Sequence, residues 1–317
     1  MQQLVFIIQT VGPVFLIIAL GYLLRRLGLI NQNFISLSSQ IVFNVSLPVL
    51  IFLELIELDI GEAFPAGQIG YIYIGTLIFF AFLWLGARPF IHDGRDLGVF
   101  IQGSFRSNFA IVGLAVISNV FGKEGLARGS LVLGSIVPLY NTLAVIALTI
   151  PKNQGERISL GHTIFEILKN PLIIGAIFAV PFAYFNVSLP PLFRTTGEYL
   201  ADIALPIALL GIGGTLHIRE IKQVSMVAVV AMILKTVLSP LLLTYGAFLF
   251  GVRGLSLGIL FILFGAPTAI ASFIMAEAMD CNSKLAGQIV LISTLASIVT
   301  ISAGLYILLK TGLIQVG

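Results

Sequence analysis

Asn44-Val-Ser-Leu-Pro-Val-Leu50 returns 158 residues further on as Asp202-Ile-Ala-Leu-Pro-Ile-Ala208. Pro13 and Pro171, each opening an apolar stretch, are separated by the same 158 residues, and so are Val132-Leu133 and Val290-Leu291. A constant offset at three places predicts duplication of one unit. Each copy carries five long apolar stretches. Five is odd, so the second copy would enter a membrane from the opposite side. Inverted repeats of that kind mark many secondary transporters.

Composition supports the membrane setting. Hydrophobic residues make up 58% of the 317 residues and charged residues 10%, against about 25% charged in a soluble domain. The mean hydropathy is +1.08. A spanning helix needs about 20 apolar residues. Ten stretches qualify, near 4–24, 34–53, 68–87, 98–120, 129–150, 171–188, 192–216, 224–250, 254–278 and 286–309. The expectation is an all-α polytopic membrane protein of ten transmembrane helices. Residues 1–150 form the first five-helix repeat, 151–170 a cytoplasmic linker, and 171–317 the second, inverted repeat.

Loop charges orient it. Of the 17 Lys and Arg, ten lie in loops after odd-numbered spans and five in loops after even-numbered spans or at the C-terminus. Cytoplasmic loops collect these residues, which predicts both termini outside. The acidic run Glu54, Glu57, Asp59 and Glu62 then falls on the outer face. The net charge of +3 reflects this loop bias rather than a nucleic-acid partner. Cys281 is the only cysteine, which excludes an intrachain disulfide. The first stretch runs to Arg25-Arg26 without a basic n-region or a small-residue cleavage site, and reads as a first span rather than a signal peptide.

Polar residues inside spans are the site candidates. Gly103-Ser-Phe-Arg-Ser-Asn-Phe-Ala-Ile-Val-Gly113 sets Arg106, Ser107 and Asn108 in span four. Arg106 lies about 12–15 Å deep at 1.5 Å per residue, where an arginine costs about 2.5–3.5 kcal/mol. Either a cavity facing an anionic substrate offsets that cost, or the side chain snorkels to the interface. The repeat-mate in span nine reads Phe264-Gly-Ala-Pro-Thr-Ala269, and the offset sends Asn108 to Ala266. Pro267 lacks an N–H and frees carbonyls, while Gly265 permits unusual dihedrals. Freed backbone groups cannot face lipid, so this is a proline kink or a cavity lining that includes Thr268. Lys235, near the middle of span eight, would attract an anion, relay a proton, or neutralise the partial negative charge of a half-helix end. Asn44 and Asp202 sit one turn before Pro48 and Pro206, and Asn141 follows Pro138 in span five. Gly211, Gly213 and Gly214 read as close-packing residues. His92, His162 and His217 fall in or beside loops and suggest no metal site. No His-Glu-x-x-His, nucleotide-binding Gly-rich loop or G-x-S-x-G is present, so neither an enzyme nor an ATP-driven pump is expected.

Several segments together resemble the auxin efflux carrier family of bacterial and plant transporters. They are Gly21-Tyr-Leu-Leu-Arg-Arg-Leu-Gly-Leu-Ile30, Phe43-Asn-Val-Ser-Leu-Pro48, Lys169-Asn-Pro171, Leu205-Pro-Ile-Ala-Leu-Leu-Gly-Ile-Gly-Gly214, Lys235-Thr-Val-Leu-Ser-Pro240 and Ala266-Pro267. The resemblance implies ten helices in two inverted repeats, a crossing of broken helices four and nine, a homodimer and elevator-like alternating access. It implies small organic anions as substrates, auxin-like or mono- and dicarboxylates such as malate or malonate, and an Asn of helix four at the crossing, which Asn108 matches. Relatives carry proline where this chain has Ala115, so the break in helix four is softer or rests on Gly113. The expectation is thus a plasma-membrane carrier in the bilayer, with possible proton or sodium coupling and no cofactor. Its predicted binding residues are Asn108, Ser107, Arg106, Pro267, Thr268, Gly265, Asn44, Lys235 and Asn141. The rival readings are a sodium-coupled carrier of bile-acid-like or other solutes on a related ten-helix fold, and a non-transport receptor.

Overall fold

The computed structural model describes residues 2–56, 66–153, 171–185, 187–216 and 224–315. Glu57, Asp59 and Glu62 of the acidic loop, linker residues 154–170, His162, His217 and the basic segment 217–223 lie outside the described residues. All regular elements among the described residues are helical. They are α1 (Gln2–Arg26), α2 (Gln32–Ile41), α3 (Leu47–Ile56), α4 (Ala66–Ala87), α5 (Gly94–Phe105), α6 (Leu114–Asn153) and α7 (Pro171–Tyr184). Then follow α8 (Pro191–Asp202), α9 (Ala204–Thr215), α10 (Met226–Ile233), α11 (Ser239–Leu249), α12 (Gly254–Gly265), α13 (Ala271–Ala278) and α14 (Ser283–Lys310). Six helical runs are long and apolar enough to cross a membrane: Gln32–Leu53, Gly67–Ala87, Phe109–Pro151, Pro191–Thr215, Met226–Leu249 and Ser283–Lys310. Large apolar side chains such as Ile78, Leu85, Leu241 and Val299 stand exposed on their outer faces, as does Leu16 on α1, as hydrocarbon solvent permits.

Prolines place the irregular turns. A helical proline leaves the carbonyl four residues earlier without its donor and crowds it. Pro48 would pair with Asn44, which lies in a π-helical turn, Val42–Ser46. Pro240 would pair with Thr236, inside a second π-helical turn, Leu234–Leu238. Pro206 would pair with Asp202, the last residue of α8. The long α6 is two helices in one, since Gly122 breaks it at φ 64 and ψ −153. The residue 158 positions later, Asp280, is the one described non-glycine with positive φ, at 52.

Two packing groups emerge, each drawing on both halves of the chain. In one, α1 packs on α9, α3 on α7 and α8, and α2 on α9. Small residues allow backbone contact there. A Cβ on Gly213 would stand 1.9 Å from the Ile18 carbonyl oxygen, one on Gly21 2.2 Å from that of Leu210, and one on Gly175 2.6 Å from that of Pro48. In the other group α5 packs on α6, α11 on α12, and α10 and α13 on α14. Tyr71 of α4 donates to the Leu243 carbonyl at 2.5 Å, and Tyr73 donates to the Ser135 carbonyl. At one end of this group Arg95 pairs with Asp280 at 3.1 Å, and the Asn282 amide donates to Asp96 at 2.7 Å.

Candidate functional site

The site is built where α5 and α12 stop. Arg106 caps α5 in an extended conformation, φ −76 and ψ 106, and Ala266 caps α12 at φ −59 and ψ 146. The two extended segments pair as a short antiparallel bridge, Ser107 with Thr268. The Asn108 N–H donates to the Pro267 carbonyl at 2.7 Å, and the Ala269 N–H donates to the Arg106 carbonyl at 3.0 Å. Gly265 ends α12 against Pro240 at 3.5 Å from its would-be Cβ, so the proline that bends α11 also walls the break.

Helix ends leave carbonyls without intrahelical donors, and here each broken helix caps the other. The Ser107 hydroxyl donates to the Leu263 carbonyl at 2.5 Å, and the Thr268 hydroxyl donates to the Gly103 carbonyl at 2.6 Å. The Thr268 N–H in turn donates to the Ser293 hydroxyl at 3.1 Å. Lys235, fully buried, donates from Nζ to the Phe264 carbonyl at 2.5 Å. Of the three roles that sequence left open for Lys235, this contact matches the one a half-helix end asks of a cation. Arg106 does not snorkel: it is 8% exposed and donates to Asn141 Oδ1 at 2.7 Å and to the Met275 sulfur.

Asn108 differs from these. Its residue is 5% exposed, its backbone carbonyl receives Val112 and Gly113 N–H at 3.1 Å each, and its side chain makes no cap. The amide is left available beside the positive end of the helix that begins at Phe109. That helix opens as a π-helical turn, Phe109–Gly113, where a Cβ on Gly113 would press to 2.4 Å of the Phe109 ring. A helix with Ala115 in the proline position therefore continues unbroken, and Gly113 seats the aromatic. A shift of register accompanies this turn. The offset of 158 pairs Asn108 with Ala266, whereas the helix caps, Arg106 and Ala266, are 160 apart. Gly122 and Asp280, the next matching irregularities, are 158 apart, so the first half carries two more residues than the second between its cap and this point. A π-turn holds one extra residue and accounts for only one of them.

Asn44 stands apart from this cluster. It is exposed, and its amide donates to the Gln40 carbonyl one turn back at 2.8 Å. The structure adds a cavity of about 560 Å³ that sequence reasoning missed. Its walls are Pro13 and Ile17 of α1, Leu50 of α3, Asp202 and Pro206 around the α8–α9 break, and Ala115, Ser118, Asn119 and Lys123 of α6. Arg194 and Glu198 line its rim and pair at 3.1 Å. The signal available in the sequence was the polar pair Ser118-Asn119 late in an apolar span, and Asp202 before a proline. Both packing groups contribute to the lining of the cavity, and its α6 wall begins about 10 Å along the helix from Asn108.

Comparison with known proteins agrees with the membrane reading. A family model described as membrane transport protein matches residues 6–304. The chain is 26% identical to an "Uncharacterized transporter" of Methanothermobacter thermautotrophicus, over 92% of this chain and 95% of that protein. It is 22% identical to a transporter of Methanocaldococcus jannaschii, over 94% and 97%. It is 24% identical to a Rhizobium meliloti protein named "Putative malonate transporter", over 93% and 94%.

Proposed function

The chain belongs to the membrane transport protein family, and on that premise we propose that it is a secondary carrier of small organic anions working by alternating access. The observation that carries this reading is the pair of helices broken at Ser107 and Thr268. Irregular backbone at membrane depth is tolerated only where it is buried in protein or lines a water-filled path. Asn108 supplies a free amide beside a helix N-terminus, and Arg106 a buried positive charge that has no carboxylate partner among the described residues. Both favour a carboxylate.

In this reading the ten spans form two inverted five-helix repeats, supported by the 158-residue recurrence and by the matching breaks at Gly122 and Asp280. The group holding the crossing moves against the group of α1, α2, α3, α7, α8 and α9, which would also form the dimer contact. Lys123 and Arg194 belong to the lysine-poor face, so the cavity opens outward in the plasma membrane. Malonate is the first substrate to test, because a relative carries that name. The test is melting of the purified protein with and without malonate, and uptake of radiolabelled malonate into proteoliposomes. Wild type should be stabilised and take up label. Asn108→Ala should keep its unliganded melting temperature and lose about tenfold in affinity, near 1.4 kcal/mol for one hydrogen bond to a charged group. Ligand stabilisation unchanged in Asn108→Ala would reject this site.

A further inference from the structure

We propose that Lys235 is a tethered cation that takes the place of a bound metal ion at the broken end of α12, so the crossing holds together without sodium. Four observations lead there. The Phe264 carbonyl belongs to the last turn of α12, where the backbone dipoles leave partial negative charge and no intrahelical donor. Lys235 Nζ meets that oxygen at 2.5 Å from a fully buried position. The π-helical turn Leu234–Leu238, set by Pro240, places the lysine on that face of the helix. Neighbouring carbonyls are already satisfied, Leu263 by Ser107 and Gly103 by Thr268.

The surroundings fit a fixed cation better than an exchangeable one. No carboxylate appears among the described buried residues, and no group of three His, Cys, Asp or Glu able to hold a metal occurs among the described residues. An ion entering here would find one carbonyl already occupied by an ammonium and no acid to balance it. A lysine is a compact point charge on a flexible stem, suited to reaching a single carbonyl oxygen.

The experiment reads thermal unfolding of the full chain in detergent at constant ionic strength, and it needs no substrate. Wild type should melt at the same temperature in NaCl, KCl and N-methyl-D-glucamine chloride. Lys235→Ala leaves a hole beside the carbonyl, so it should melt lower and recover by about 3 °C in saturating ethylammonium chloride. Lys235→Met fills the hole without a charge and should remain low in every salt. A Lys235→Met protein as stable as wild type would overturn the proposal, as would Lys235→Ala indifferent to ethylammonium. Stabilisation of wild type by sodium over N-methyl-D-glucamine would overturn it as well, and that arm decides even if the variants do not fold.

Discussion

Removing the Ser107 hydroxyl tests whether the crossing is held by reciprocal caps. Ser107 is 6% exposed and its hydroxyl is the described side-chain donor to the Leu263 carbonyl. Ser107→Ala leaves that carbonyl buried and unsatisfied, which costs about 1–3 kcal/mol. For a domain of about 150–250 residues each kcal/mol lowers the melting temperature by about 2–4 °C, so a drop of roughly 2–12 °C is expected. Thr268→Val keeps the shape of the side chain and removes the donor to Gly103, so it should cost a similar amount. The two hydroxyls sit on paired residues, and contacting sites are not additive. The double variant should therefore depart from the two single losses combined by about 0.5 kcal/mol or more. Differential scanning fluorimetry of the four proteins without ligand measures all of this. A Ser107→Ala protein melting within about 1 °C of wild type, or strict additivity in the cycle, would refute the reciprocal-cap account.

Other outcomes follow from the packing and the cavity. Gly213→Val should abolish folded protein in size-exclusion chromatography, since even its Cβ would lie 1.9 Å from the Ile18 carbonyl oxygen, whereas Gly12→Ala, with nothing within 4 Å of its Cβ, should raise stability by up to about 1 kcal/mol. In a Cys281→Ser background, Ser118→Cys in the cavity wall should react with a membrane-impermeant maleimide added outside, and Leu16→Cys on the outward apolar face should not. Arg95→Gln removes an ion pair whose side chains are 55% and 76% exposed, and melting curves should show a loss below about 1 kcal/mol.

Much of the candidate site was legible in the sequence. Arg106, Ser107, Asn108, Pro267 and Thr268 were conspicuous because polar groups and a proline are costly at membrane depth, and these residues do meet. Asn44 was equally conspicuous as a polar residue before a proline, yet it bonds within its own helix and faces outward. Spacing along the chain says which turn a residue occupies, not which way that turn faces. The cavity was missed for a related reason: its walls come from five separate helices, and only Ser118, Asn119 and Asp202 hinted at it.

Sequence by itself determined that this chain lives in lipid, that its helices are irregular near particular prolines and glycines, and that short segments recur at an offset of 158 residues. Those features follow from local chemistry: solvent transfer, missing N–H groups and periodicity act residue by residue. Tertiary structure alone decided who satisfies whom at the broken ends, that Ser107 serves α12 while Thr268 serves α5, and that Lys235 reaches Phe264 rather than a cavity. A carbonyl freed by a break must find a donor, and any nearby hydroxyl or ammonium could serve. Only the packing of distant segments selects which one does.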